Sequence, residues 1–224
     1  MREVASLGAC LRISGILATL VFAVMAVSDL LLLTTLEFHR PYRFWEDAAA
    51  LPQAQVTVGY SLGMVAIPLH CVTSAWHLSL AVQPAGLWAS RLVFAATAYS
   101  VSLLAVWHAS FAFVRSIVRA EDLVSSGPGP EALLAFSTYG VPALRLAVVV
   151  AGLAYLLVFG LAIAGRTLYP RWAGVVLPAT YVLVTFLLVP HLPPSLDILR
   201  ATAWNAGGIV LFALSTAILW KRAG

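Results

Sequence analysis

A chain of 224 residues that is 62% hydrophobic and 10% charged, with 13 Lys/Arg against 9 Asp/Glu, has too few charges to cover a water-soluble globule; roughly a quarter of the residues of a soluble domain are charged. The formal charge of +4 does not point to nucleic acid, because the basic residues stand at the ends of apolar runs, where they anchor helices to headgroups. Cys10 and Cys71 lie near or inside apolar segments without metal or redox spacing and read as packing residues.

In chain order the sequence predicts an all-α, polytopic membrane helix bundle with six transmembrane helices in a single domain over residues 1–224. Each apolar run is long enough to cross a hydrocarbon core ~30 Å thick. The first helix is expected at about 13–36, too long for a signal-peptide core and therefore retained as a span. A charged, aromatic connection follows from Glu37 to Gln55, and its composition belongs at a membrane interface. Helices two and three are expected at about 56–82 and 92–114, separated by the turn Gln83-Pro84-Ala85-Gly86. Ser125-Ser126-Gly127-Pro128-Gly129-Pro130 reads as an exposed loop, and Glu131 to Arg145 as a short interfacial helix interrupted by Gly140 and Pro142. Helices four and five, about 146–164 and 173–192, flank a hairpin carrying Arg166, Tyr169, Pro170, Arg171 and Trp172; helix six spans about 201–220.

Six crossings place both chain ends on one side, called here the terminal side. It carries seven Lys/Arg against six on the other, which tips the termini toward the cytoplasm by a single residue. The acids divide more sharply: Glu37, Glu46, Asp47, Glu121, Asp122, Glu131 and Asp197 lie on the far side, and Glu3 alone on the terminal side. That asymmetry marks a face where a mouth or a chemistry is expected.

Ionisable groups inside a span are costly and are functional candidates by default. Asp29 lies about seven residues inside the first helix from its far-side end, ~10 Å deep at ~1.5 Å per residue. A carboxyl group kept dry there is a candidate proton donor; its structural alternative is a hydrogen bond to a neighbouring helix. His108 stands at similar depth and makes a plausible proton-transfer partner. His70 and His77 are seven residues apart on helix two. They stand on nearly one face but ~10 Å apart along the axis, too far to share a metal ion; a site combining one of them with Asp29 and His108 remains open, as does simple helix-to-helix hydrogen bonding. Asn205, followed by Gly207-Gly208, lies early in helix six near the acidic side. Trp107, Trp204, Tyr60 and Phe111 are candidates to line a cavity with these groups, and Glu37 and Glu46 are secondary acids at its mouth. No cofactor is called for.

The motifs Ser28-Asp29-Leu30-Leu31, Pro68 with His70 and His77, His108-Ala109-Ser110-Phe111, Arg166 with Tyr169-Pro170-Arg171-Trp172, and Asn205-Ala206-Gly207-Gly208 together resemble a poorly characterised family of bacterial six-helix integral membrane proteins. Leu177 before Pro178 departs from that pattern, which more often has Asn. More loosely, the size and the intramembrane acid resemble bacterial integral-membrane terpene cyclases. That resemblance implies a cyclase or isomerase acting on a lipophilic isoprenoid in the bilayer. In it Asp29 protonates the substrate, His108 tunes or reprotonates Asp29, and Trp107, Trp204 and Tyr60 face the cation. Rival readings are a proton-coupled small-molecule carrier or binding protein, a histidine-ligated membrane metalloenzyme, and a structural subunit. Oligomeric state is left open.

Overall fold

The structure, a computed structural model, describes residues 2–33, 52–122, 136–193, 196, 199 and 202–220, with side chains for all of these except 2–6, 33, 110–122, 136 and 137. In hydrocarbon no water is present to pair backbone N–H and C=O groups, so a spanning segment must satisfy them within itself, as a helix does. Among the described residues six long helical spans result. Their α-helices are α1 (Arg2–Leu33), α2 (Gln53–Ala81), α3 (Leu87–Asp122), α4 (Val141–Ile163), α5 (Ala173–Val182) and α6 (Ala203–Trp220). Each contains or belongs to a stretch long and apolar enough to cross a membrane, the fifth running on to His191. The chain is a multi-pass membrane protein.

Several boundaries differ from the hydropathy reading. α1 begins at Arg2 because Arg2 and Glu3 do not stop a helix that continues into Leu7–Leu32. α3 extends to Asp122, for no Gly or Pro interrupts the sequence between Leu87 and Ser126. Gly140 and Pro142 do not break the chain ahead of α4: a π-helical turn over Phe136–Gly140 passes directly into it, with Pro142 in the first turn, where its missing N–H has no partner to lose. The fifth span is the irregular one. It holds Pro178, turns π-helical over Leu183–Leu188 and ends in a 3-10 turn at Val189–His191. Most of the charged connection expected between α1 and α2, residues 34–51, and the loop expected after α3, within residues 123–135, lie outside the described residues.

α1 packs against α2 and α6, and each remaining helix packs against its neighbours in sequence, which closes the bundle into a ring. The polarity of that ring is inverted relative to a soluble protein. Large apolar side chains point outward, as Leu156 (70% exposed) and Val65 (63%) do, whereas Ser14, Ser28, Ser74, His77 and Ser215 are buried. Lipid is as apolar as Leu, so helix association rests on close packing and on hydrogen bonds between helices. Both are present. A Cβ on Gly208 would collide with the Phe22 ring, one on Gly59 would press on Leu31 and Leu32, and one on Gly174 would meet the Phe159 carbonyl. Between helices, Ser28 Oγ donates to Gly59 O at 2.7 Å, Ser90 Oγ to Ser79 O at 2.9 Å and Ser100 Oγ to Ala147 O at 2.8 Å. Cys71 Sγ also donates to Ala98 O, at 3.1 Å, so this thiol is part of the α2–α3 packing.

All six helices meet at the terminal-side end in one apolar cluster that includes Leu11, Leu78, Val93, Val158, Leu177 and Phe212. The α4–α5 hairpin is drawn into it. Gly165 takes a φ of +72° to turn the chain, a conformation open to glycine at little cost, and Leu168 N–H donates to Ala81 O at 2.9 Å. Tyr169 is then buried, with its hydroxyl 2.7 Å from Ser215 Oγ; Ser215 Oγ is 2.6 Å from His77 Nε2; and His77 Nδ1 lies 3.1 Å from Ser14 Oγ and 3.2 Å from Leu11 O. A carbonyl oxygen only accepts. The proton of His77 therefore sits on Nδ1, Ser215 donates to Nε2, and Tyr169 donates to Ser215. Burial pushes the Tyr169 phenol up to about 12, against the pull of its bond to Ser215, so it remains a donor across the physiological range.

The directional chain and the glycine contacts can each be tested by stability. Ser215→Ala strands both His77 Nε2 and the Tyr169 hydroxyl and is expected to cost ~1–3 kcal/mol, whereas Tyr169→Phe removes a single bond worth about 0.6 kcal/mol on average between membrane helices. Equal losses for the two variants in reversible unfolding by sodium dodecyl sulfate would contradict the directional chain. Gly208→Leu, driven into Phe22, is expected to lose ~1–3 kcal/mol by overpacking, read from its thermal midpoint in mild detergent against that of Gly152→Leu, since a Cβ at Gly152 meets nothing within 4 Å.

Candidate functional site

Toward the far-side end of the bundle three helices bring three polar groups together. Asp29 is near the end of α1, Asn205 is in the first turn of α6, and His108 is on α3. Asn205 Nδ2 donates to Asp29 Oδ2 at 2.5 Å, and His108 Nε2 lies 3.9 Å from Asp29 Oδ1. The Asp29 side chain keeps 16% of its surface accessible and that of His108 keeps 9%. α2 runs beside this group with a glycine at the contact: a Cβ on Gly63 would come within 3.0 Å of Ser28 Oγ and 3.4 Å of His108 Nδ1. One turn away, Ser28 Oγ is bonded to Gly59 O. The sequence Gly59-Tyr60-Ser61-Leu62-Gly63 is a small-xxx-small pattern, the signal that would have revealed this close approach.

The two oxygens of Asp29 are not equivalent. Oδ2 already accepts a short bond from Asn205. In the neutral acid the proton accordingly belongs on Oδ1, the oxygen that faces His108. At 3.9 Å these atoms are too far apart for a direct hydrogen bond, yet one bridging oxygen atom at ~2.8 Å from each would span them. The arrangement can hold a proton at a defined atom and pass it to, or take it from, a group inserted beside the imidazole.

The remaining candidates fall in several places. Trp107 is half-buried beside His108 on α3, and Tyr60 is half-buried on α2 between the two glycines. Trp204 adjoins Asn205 in sequence but is 49% exposed and packs edge-on against Phe186, ring centroids 5.5 Å apart, on the lipid-facing side. Phe111 lies on α3, its side chain outside the described set; Glu37 and Glu46 lie outside the described residues altogether. His70 is turned to Ser74, Nδ1 to Oγ 2.7 Å, and meets Phe22 edge-on at 4.3 Å. His77 belongs to the terminal-side network with Ser14, Ser215 and Tyr169. The three histidines are thus distributed along the bundle, and among the described residues no three His, Cys, Asp or Glu side chains converge as a ligand set would. Ser14 and Ser215 had no sequence signal beyond being small polar residues in apolar surroundings, and Tyr169 stood out only as part of the hairpin motif.

No curated protein and no solved structure matches this chain. Residues 9–223 match the model of a family described as of unknown function. With nearly its whole length matched, the chain belongs to the DUF6796 family.

Proposed function

We propose that this protein is a membrane-embedded general acid that acts on a lipophilic small molecule entering from the bilayer, with Asp29 as the proton donor. The observation that carries the reading is the asymmetric setting of the carboxyl group: Asn205 occupies Oδ2 at 2.5 Å and Oδ1 is left facing His108 at 3.9 Å. A purely structural Asp is expected to have both oxygens bonded to its neighbours, since unmet hydrogen-bonding capacity in hydrocarbon is costly.

For the substrate class we adopt an isoprenoid, on the loose resemblance to terpene cyclases; the site supplies the acid, and the resemblance supplies the substrate. The reaction balances as a cyclisation or isomerisation. The Oδ1 proton is transferred to an alkene or epoxide of the substrate, the resulting cation closes or rearranges, and loss of a proton from the product returns one to the carboxylate, directly or through His108. Asn205 holds the carboxyl group in place as its charge changes, and Trp107 and Tyr60 are the aromatic residues proposed to face the cation. We further propose the cytoplasmic membrane of a bacterium as the location, with cytoplasmic termini on the narrow Lys/Arg balance.

A proton-coupled carrier built on the same residues is the second reading. It is favoured by the broken fifth span, since irregular helices accompany binding sites in transporters and π-helical turns recur at functional positions.

In proteoliposomes supplied with a farnesylated acceptor, Asp29→Asn is expected to lower product formation by at least ~10²-fold, the range for a lost general acid. His108→Gln should lower it less, and Asn205→Leu should fall between the two. Full conversion by Asp29→Asn removes Asp29 as the donor. Substrate-dependent acidification of sealed vesicles with the substrate recovered unchanged would replace the enzyme reading with the carrier.

A further inference from the structure

Between α1 and α6, at the terminal-side end and remote from Asp29, the bundle carries an open groove of about 490 Å³ that faces the lipid. Ile16, Thr19 and Leu20 line one wall, and Ala213, Thr216, Ala217 and Trp220 the other. On each helix these positions recur every three or four residues, so each wall is a single helical stripe. The floor is formed by close approach of the two helices, for a Cβ on Gly15 would collide with Thr216. The two threonine hydroxyls are turned to their own helices. Thr19 donates to Gly15 O at 2.9 Å and Thr216 to Phe212 O at 2.6 Å. Along its length the groove therefore offers apolar contact only.

Its terminal-side end is different. Arg12, one turn before Ile16, places its guanidinium carbon 4.8 Å from the centroid of the Trp220 ring. The side chain is half-buried, and its Nε is buried without a hydrogen-bond partner among the described residues. The cation–π contact tethers the guanidinium to the Trp220 ring, and its N–H groups can still be offered to an acceptor. The terminal side as a whole carries seven Lys/Arg against Glu3, a field that attracts anionic headgroups. A guanidinium at the headgroup level, above a channel walled by Ile, Leu and Ala, matches a phosphate joined to an acyl chain.

We infer that this groove is a binding site for an anionic phospholipid of the terminal-side leaflet, with its phosphate on Arg12 and one acyl chain laid between α1 and α6. The assignment does not depend on the chemistry at Asp29. Zwitterionic lipids also carry a phosphate, but their added cation meets the excess of Lys and Arg, so a net negative headgroup is selected.

The test reconstitutes the full chain in nanodiscs containing equal phosphatidylglycerol and phosphatidylcholine, then reads the retained lipids by native mass spectrometry after release into detergent. Wild-type protein is expected to retain phosphatidylglycerol in several-fold excess. Arg12→Gln should bring the ratio close to that of the bulk mixture, and Ala217→Phe, which fills the groove from an exposed position, should reduce retention of both lipids with the melting curve unchanged. Equal retention of the two lipids by the wild type overturns the proposal, as does an undiminished preference in Arg12→Gln. Should Arg12→Gln fail to fold, wild-type retention by the folded Ala217→Phe protein overturns it independently.

Discussion

Hydrocarbon offers no hydrogen-bond partner, and the organisation of this protein follows from that single deficit. Backbone groups close on themselves as helices. Some polar side chains close on their own helix, as Thr19 and Thr216 do, and others meet across helices on the inward faces of α1, α2 and α6. Ser14, Ser28 and Asp29 on α1 find partners on α2 and α6, and Ser215 on α6 bonds both α2 and the α4–α5 hairpin. The lipid-facing surface can then be built of large apolar side chains, because the groups that most need a partner have been drawn inward by the packing.

Two polar clusters satisfy this requirement to different degrees, and the difference separates scaffold from site. At the terminal-side end the chain from Tyr169 through Ser215 to His77 and Leu11 O has one consistent direction of donation, each donor meeting an acceptor. Such a network has no capacity left for a substrate. Its role is to hold the hairpin, α6, α2 and α1 in register. At the opposite end Asp29 is held, among the described residues, by one oxygen only, and His108 stands beyond bonding distance of the other. Rigidity at one end and unmet capacity at the other are what the proposed general acid requires.

How much of this could be read from sequence depended on whether the property belongs to a residue or to a pair. Six spans were legible because hydropathy is additive along the chain, and Asp29, His108 and Asn205 were legible as a group because depth can be counted from helix ends. Helix rotation was not. Asn205 and Trp204 are adjacent in sequence, yet about 100° apart around an α-helix, and one is buried while the other faces lipid. His70 and His77 share a face of α2, but their surroundings differ: Phe22 and Ser74 meet the first, Ser14 and Ser215 the second. The continuation of α3 past Val114 was hidden because charged residues end a hydropathy run without ending a helix.

The position of Gly63 ties these levels together. It carries no chemistry, and among the described residues no hydrogen bond joins a side chain of its helix to the candidate acid, yet the space left by its absent Cβ is taken up by Ser28 of one neighbour and His108 of another. The Ser28 hydroxyl and the His108 imidazole can therefore both lie against the same bare stretch of backbone. Such a bare stretch works as a seat shared by two neighbours: a side chain at position 63 would press on Ser28 and His108 together and so shift the imidazole relative to the acid without altering a single ionisable group.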